Sequence, residues 1–294
     1  MTNNRPIVAY QPFTVGGVAS FAVASLWRLL GVQFIFALFV AGVFVWFVNS
    51  AWIPVIDESI EQMPQSGDIS LGSLNWPVGE SLHVEGPAGG EPFMRLDVEP
   101  RGITNVIESV DLVLAFESKR LFVGSSLGLG LIVLPYPLNL KIPFNKSDLK
   151  PWWGAWSHLI LLSLGFLVTI LLIVSWSFLG CLYMLPVKIF SVNRLSFRGA
   201  WQLASAAHMP GALLMSVGIL MYGIKQIELV GFAFVWVIHL ILPWFYLFFS
   251  PFFTPKPIKK VRKIKSESKF DEIANPFHRS SNRNKNSSDN PFDN

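Results

Sequence analysis

The chain has 294 residues, of which 52% are hydrophobic and 14% charged, with a net charge of +4 and a sequence pI near 9.2. An ordinary soluble domain carries charges on about a quarter of its positions, so a globule surrounded entirely by water is excluded and lipid is the expected environment. The basic balance alone would admit a nucleic-acid partner, but the charges are segregated along the chain and their placement decides the matter.

Residues 13–27, FTVGGVASFAVASLW, are apolar, rich in small side chains and followed at once by Arg28. They are expected to form an interfacial or partly inserted helix within an N-terminal cytoplasmic segment, residues 1–28. Residues 29–48 then run for 20 positions without a charge, Gln33 being the one doubtful polar group. That length matches the roughly 20 residues needed to cross a bilayer core. Arg28 interrupts the apolar run before it resumes for a full membrane thickness, so the span is expected to stay as an anchor and not to be cleaved as a signal peptide.

Residues 49–155 are expected to form an extracytoplasmic β-rich domain with a helical neck. The neck is WIPVIDESIEQM, with Ile53, Ile56 and Ile60 on one face and Glu58 and Glu61 on another, the pattern of an amphipathic helix lying along the outer membrane surface. From 66 to 145 the segments DISLGSL, SLHVEG, FMRLDVE, VDLVLAF, KRLFVG and LGLIVLPY read as strands, divided by turn signals such as GPAGGEP and EPRG. Two of them, joined by Glu117 to Arg120, predict a hairpin. About 80 residues suffice for a small, mostly antiparallel β domain with its own core.

Three more spans follow, at 156–187, 200–224 and 229–253, with a loop at 188–199 and a tail at 254–294. The predicted fold is thus a membrane α-helical bundle of about four transmembrane helices, with the β domain inserted between helices 1 and 2. The segment from Ser50 to Ala155 holds 13 acidic and 7 basic residues, the 182–199 connection holds Lys188, Arg194 and Arg198 with no acid, and the chain after Ser250 holds 10 basic and 5 acidic. By the positive-inside rule both termini are cytoplasmic and the acidic segment faces out. The bacterial cytoplasmic membrane is the expected location.

Ionisable groups inside spans are costly and therefore candidates for function. His208, in ASAAHMPGALL, and His239, in VWVIHLILPW, lie near the middles of their spans, each with a proline soon after. A helical net puts His208 on the stripe of Ala200, Ala204, Ala212 and Ser216, facing a neighbouring helix. Two facing histidines could bind a metal or relay a proton, but a third ligand is missing at that depth. The favoured reading is neutral imidazoles bonded to backbone carbonyls freed by Pro210 and Pro243. Cys181 reads as a small buried apolar side chain, and Lys225 with Glu228 as a solvated pair in an outer turn. GSSLGLG lacks the Lys-Ser/Thr ending of a phosphate loop, and HExxH and CxxC sequences are absent. No catalytic residue, cofactor or metal is expected.

Lys256, Lys259, Lys260, Arg262, Lys263 and Lys265 lie within about 15 residues of a span end, where basic clusters mark the cytoplasmic side and attract anionic lipid. Their spacers are Pro, Ile and Val, without the aromatics of nucleic-acid binding. Beyond them Asn-Pro-Phe occurs twice, as Asn275, Pro276, Phe277 and Asn290, Pro291, Phe292. Such a turn presents its Phe to a small pocket, and the triplet resembles the motif bound by EH domains.

Three stretches, FTVGGVASFAVASLWRLLGVQF, GEPFMRLDVEPRG and LSFRGAWQLASAAHMPGALL, resemble a prokaryotic family of polytopic membrane proteins distantly related to the Yip1-domain bundles. The resemblance implies the topology above and brings no active site with it. The expected function is that of a non-enzymatic scaffold, adaptor or sensor whose outer β domain and basic tail bind protein partners, a second copy or lipid. The alternative is a small transporter or channel subunit using His208 and His239. Single cysteines at Ser81 and Ser287, on a Cys181→Ala background, test the orientation in intact cells with an impermeant thiol reagent. Only the Ser81 site should react; labelling at Ser287 alone inverts the topology.

Overall fold

Thr14 and Ser25 start the first two helices, because their side chains accept hydrogen bonds from the N–H groups of Gly17 and Arg28 and so satisfy donors that a helix start leaves open. In the computed structural model, which describes residues 13–86, 92–100, 110–125, 131–191 and 194–254, these are α1 (Val15–Ser20) and α2 (Leu26–Ala51). A 3-10 turn, Phe21–Val23, joins them. Val18, Phe21 and Ala22 are buried in one core with Leu29 of α2. The middle of the segment read as interfacial is therefore packed against the bundle, while Phe13, Val23 and Trp27 stay exposed.

The neck helix is α3 (Ile53–Gln62). Its innermost residues are Val55, Ser59 and Ile60, with Val55 only 1% exposed beside Val84, Met94 and Leu96. The buried face is thus rotated from the predicted Ile53, Ile56, Ile60 stripe, and the helix closes one side of the β core.

Beyond it, β1 (Asp68–Ser70) and β2 (Ser73–Asn75) form a hairpin where the sequence suggests one strand. Leu71 and Gly72, at φ 51° and 75°, give its two-residue turn the backbone of a type I′ hairpin. β8 (Ile142–Pro143) pairs with the other edge of β1. The larger sheet has the order β3 (Leu82–Glu85), β4 (Met94–Val98), β5 (Leu112–Phe116), β6 (Arg120–Ser125), β7 (Leu131–Pro135). The expected hairpin is present, with Leu112 opposite Ser125 and Phe116 opposite Leu121. One pair departs from the antiparallel pattern: β4 and β5 run parallel, which requires the longer connection between them.

Asn145 caps the next helix, accepting from the N–H of Asp148. This is α4 (Lys146–Phe190), which begins ten residues before the predicted span, inside the region assigned to the β domain. Lys146 and Lys150 both pair with Glu61, and Trp153 Nε1 donates to Asp57. These contacts clamp the exit of the β region to its entrance, and the two ammonium groups hold the Glu61 carboxyl below its ordinary pKa.

The predicted third span is two helices, α5 (Phe197–Ala206) and α6 (Met209–Gly223), and the fourth is α7 (Leu229–Phe249) with a closing 3-10 turn, Ser250–Phe253. α6 ends in a Schellman motif: Gln226 N–H bonds Met221 O and Lys225 N–H bonds Tyr222 O, with Lys225 at φ 59°. Four segments, Leu26–Gln62, Lys146–Phe190, Phe197–Gly223 and Leu229–Phe253, are long and apolar enough to cross a membrane. Of their most apolar windows, 72% is buried in the third but only 11% in the second and 17% in the fourth. The α5–α6 segment is therefore the axis of the bundle. The chain divides into two units, residues 1–255 and 256–294, and the described residues belong to the first.

Small residues make that axis possible. A Cβ on Gly180 of α4 would overlap Ser205, one on Gly218 would meet Val235, and one on Gly199 would meet the carbonyl of Ala22. Gly180→Ala should accordingly cost about 1–3 kcal/mol through overpacking. Gly154→Ala in the same helix, with nothing within 4 Å, should be neutral or stabilising by about 0.5–1 kcal/mol. Thermal or denaturant unfolding of the two purified variants measures the contrast, and equal effects would contradict the packing.

Candidate functional site

Proline removes a backbone donor, so the carbonyl four residues earlier loses its helical partner. Pro210 does this to Ala206 and Pro243 to His239, and the two interruptions face each other. Gly211 lies where a Cβ would come 2.9 Å from the His239 carbonyl oxygen and 3.5 Å from Pro243. Only a glycine allows α6 and α7 this approach. It brings His208, at the break between α5 and α6, and His239, within α7, to the wall of one cavity of about 310 Å³. Trp176 and Tyr183 of α4, Ala212, Pro243 and Trp244 also line it.

The two imidazoles differ. His239 Nδ1 bonds the carbonyl of Trp236, three residues back on its own helix. His208 is 8% exposed, its ring 5.5 Å from that of Tyr183, whose other contact is an edge-on Trp244 at 4.9 Å. Its Nε2 is buried without a hydrogen-bond partner. This corrects the expected pairing with proline-freed carbonyls: one ring uses a different carbonyl and the other leaves a nitrogen unmet. The stripe Ala200, Ala204, Ala212, Ser216 is buried as the helical net requires. Among the described residues, no cluster of three or more His, Cys, Asp or Glu is placed to hold a metal. Cys181 is exposed, contrary to expectation, because α4 turns its neighbour Gly180 toward α5.

The β region has a second cavity, of about 570 Å³, between Phe116, Leu121, Leu134, Ile142, Phe144 and Trp152. It lies where the edges β7 and β8 approach the first turns of α4. Tyr136 lines it and donates its hydroxyl to the Glu117 carbonyl at 3.0 Å. Burial, reinforced by the nearby Glu117 carboxylate, raises the phenol above its ordinary pKa, so it acts as a neutral donor. Ile132, Val133, Leu134, Leu138 and Leu140 around the groove are exposed.

Two polar constellations escaped sequence reasoning. The register that sets His83 opposite Asp97 and Glu85 opposite Arg95 builds a cross-strand network, His83 Nδ1 to Asp97 at 2.6 Å, His83 Nε2 to Glu85 at 3.1 Å, and Arg95 Nε to Asp97 at 2.9 Å. Alternation in LHVE and MRLDV puts these four on one face, and that was the available signal. Secondly, Tyr222 at the end of α6 donates to Asp111 before β5. It sits among Phe47, Phe93 and Phe232 and ties the helices to the sheet. Lys225, expected to pair with Glu228, places its ammonium 5.1 Å from the Phe93 ring centre.

The basic cluster Lys256, Lys259, Lys260, Arg262, Lys263, Lys265 and both Asn-Pro-Phe triplets lie outside the described residues. Comparison of the chain with protein-family models, curated proteins and solved structures finds no match.

A buried polar atom without a partner costs about 1–3 kcal/mol, so His208 is not there for stability. His208→Leu should leave thermal stability unchanged or raise it. A loss above about 2 kcal/mol would assign the ring a structural role through Tyr183.

Proposed function

We propose that this chain is a non-enzymatic integral membrane protein that binds, through its outer β domain, an acyl chain presented at the outer surface of the bilayer. In this reading the four apolar segments cross the membrane, both termini are cytoplasmic and the β domain stands on the extracytoplasmic face. The outward surfaces of α4 and α7 support it, since they expose Leu162, Phe166, Leu171, Phe178, Phe234 and Ile241 in continuous array. Soluble monomers rarely expose apolar patches beyond a few hundred Å². The acidic outer segment and the basic inner loop and tail fit the same orientation.

The observation that carries the proposal is the 570 Å³ groove, apolar-walled and bordered by Trp152. Trp152 belongs to a cluster with Trp153 and Trp156 just before the uncharged run of α4, the level at which tryptophans meet lipid headgroups. At about 1.5 Å per residue, only about 10 Å of helix separates Trp152 from the start of that run at Leu159. An acyl chain leaving the outer leaflet, from a phospholipid or from a lipid-anchored protein, can therefore reach the groove without crossing much water. The clamp of Glu61 with Lys146 and Lys150 holds the groove at that height. On the opposite side, the basic cluster from Lys256 to Lys265 engages anionic lipid, at about 1 kcal/mol per basic residue near the surface.

A photoreactive fatty acid, with the purified full-length protein in nanodiscs, tests the groove. Burying an apolar side chain is worth about 1.5–3 kcal/mol, so Leu134→Asp should lower crosslinking at the groove by about 10-fold or more. Leu134 is already 49% exposed, which keeps the substitution compatible with folding. Val78→Asp, at a site 99% exposed and away from the groove, should have no effect. Competition by free phospholipid or by an acylated peptide distinguishes the two sources, and equal labelling of both variants would reject acyl-chain binding.

A further inference from the structure

The cavity between α4, α6 and α7 has a composition that the acyl-chain groove lacks. Its walls are mostly apolar and aromatic, yet one of its lining residues, His208, carries a ring nitrogen, Nε2, that is buried and bonded to nothing. Buried polar groups in folded proteins are ordinarily hydrogen-bonded, and an exception calls for an explanation. The bundle keeps this atom, breaks the α5–α6 segment at His208 and sets Pro243 of α7 against Gly211. A small turn of the His208 ring would offer a ligand this bond within a largely aromatic frame.

The frame limits what can bind. A metal ion would find two histidines and no third ligand among the described residues. A hydrated ion would have to shed water against apolar walls. An acyl chain would fill the space and leave Nε2 unmet. At about 310 Å³ the cavity is at the lower end of the range of about 300–1,000 Å³ for small-molecule sites, which suits a ring and not a whole lipid. Tyr183 and Trp244 meet edge to face at 4.9 Å and offer π surfaces to a flat ligand.

The way in runs through the surface of the bundle that faces away from its axis. Ser175, Leu240 and Trp244 border the cavity and are exposed on the outer sides of α4 and α7. We propose that this cavity binds the ring of a lipid-soluble quinone, which enters sideways from the hydrocarbon between α4 and α7 and meets the His208 imidazole with a ring oxygen. Either tautomer serves, since Nε2 donates to a carbonyl or accepts from the hydroxyl of the reduced form. The inference rests on the membrane-spanning reading given above but not on the acyl-chain groove.

The experiment uses the full-length protein in nanodiscs with two photoreactive probes in parallel, an azido-benzoquinone carrying a short alkyl chain and a phospholipid with a photoreactive tail. The quinone probe should label peptides containing Trp176 or Trp244, saturably, and unlabelled decyl-benzoquinone should displace it. His208→Leu should weaken that labelling by about tenfold, the value of one hydrogen bond of ordinary net strength, and His208→Gln should restore part of it. Leu240→Trp, which narrows the mouth from an exposed position, should reduce it as well and stands in if His208→Leu fails to fold. Labelling that is equal in the variants, or that a saturated fatty ester displaces as well as the quinone does, overturns the proposal. The lipid probe reports separately: if it marks the outer faces of α4 and α7 while the quinone arm fails, the quinone site alone is lost. If it marks neither face, the membrane-spanning reading falls too.

Discussion

Everything in the helical part depends on how closely other elements can approach one central segment of small side chains, α5–α6. Gly199 sits under the Ala22 carbonyl, Ser205 fills the space left by Gly180, Gly211 faces the His239 carbonyl and Gly218 receives Val235. Where apolar helices lie in lipid, burying apolar surface against one another gains little, and close van der Waals contact with interhelical hydrogen bonds has to hold them. The bonds are present as well: Trp201 donates to the Ser177 carbonyl, Gln202 to the Ala24 carbonyl and Tyr246 to the Phe13 carbonyl. Each ties a helix to a neighbour through a backbone oxygen, and the last two also fix the short N-terminal helix against the bundle.

The same close approach creates the histidine cavity. A larger residue at 211 would push α7 outward and separate His239 from His208, and the two prolines weaken the local helical hydrogen bonding so that the backbone can shape itself around the gap. Packing and site are thus one piece of geometry: the residues that let the helices touch on one side leave a chamber on the other. The β region is joined differently. Its seat consists of aromatic rings, Phe47, Phe93, Tyr222 and Phe232, with the Tyr222–Asp111 bond among them, and its footing is the charged clamp between α3 and α4.

The four long apolar helical segments were legible because uncharged runs of twenty or more residues have few alternatives, and the hairpin around Glu117–Arg120 because alternating runs flank a short polar turn. The early start of α4 was written in Asn145 and Asp148, a cap and a first-turn acid, but the following tryptophans read more strongly as a boundary. β2 and β8 have three and two residues, too few for any period to register. His208 and His239 could each be picked out as costly polar groups in apolar runs. Their meeting at one cavity depends on Gly211 touching the backbone before Pro243, a tertiary fact with no local sign. The His83–Asp97 pair likewise follows from strand register, which spacing along the chain does not reveal. The rotated face of α3 has a related cause: Val55 turns inward because the β core lies on that side, whereas the sequence alone ranked the larger isoleucines first.

The clamp at the base of the β region also bears on how the chain reaches this state. Lys146 Nζ donates to the Glu61 carbonyl at 2.6 Å, so everything from the end of α3 to the start of α4 leaves the bundle and returns to it at a single point. Closing a chain segment costs entropy that grows only with the logarithm of its length, about 0.6 kcal/mol for each doubling. Stretching a ten-residue connection to the size of this insert therefore costs about 2 kcal/mol, which ion pairs and a cap at the closure point go far to offset. In thermodynamic terms the α2–α4 pairing is nearly indifferent to what is strung between its ends. The insert is a loop that has acquired a core of its own, and away from its seat at Phe93 and Asp111 its size and surface are free to change while the helices beneath keep their register.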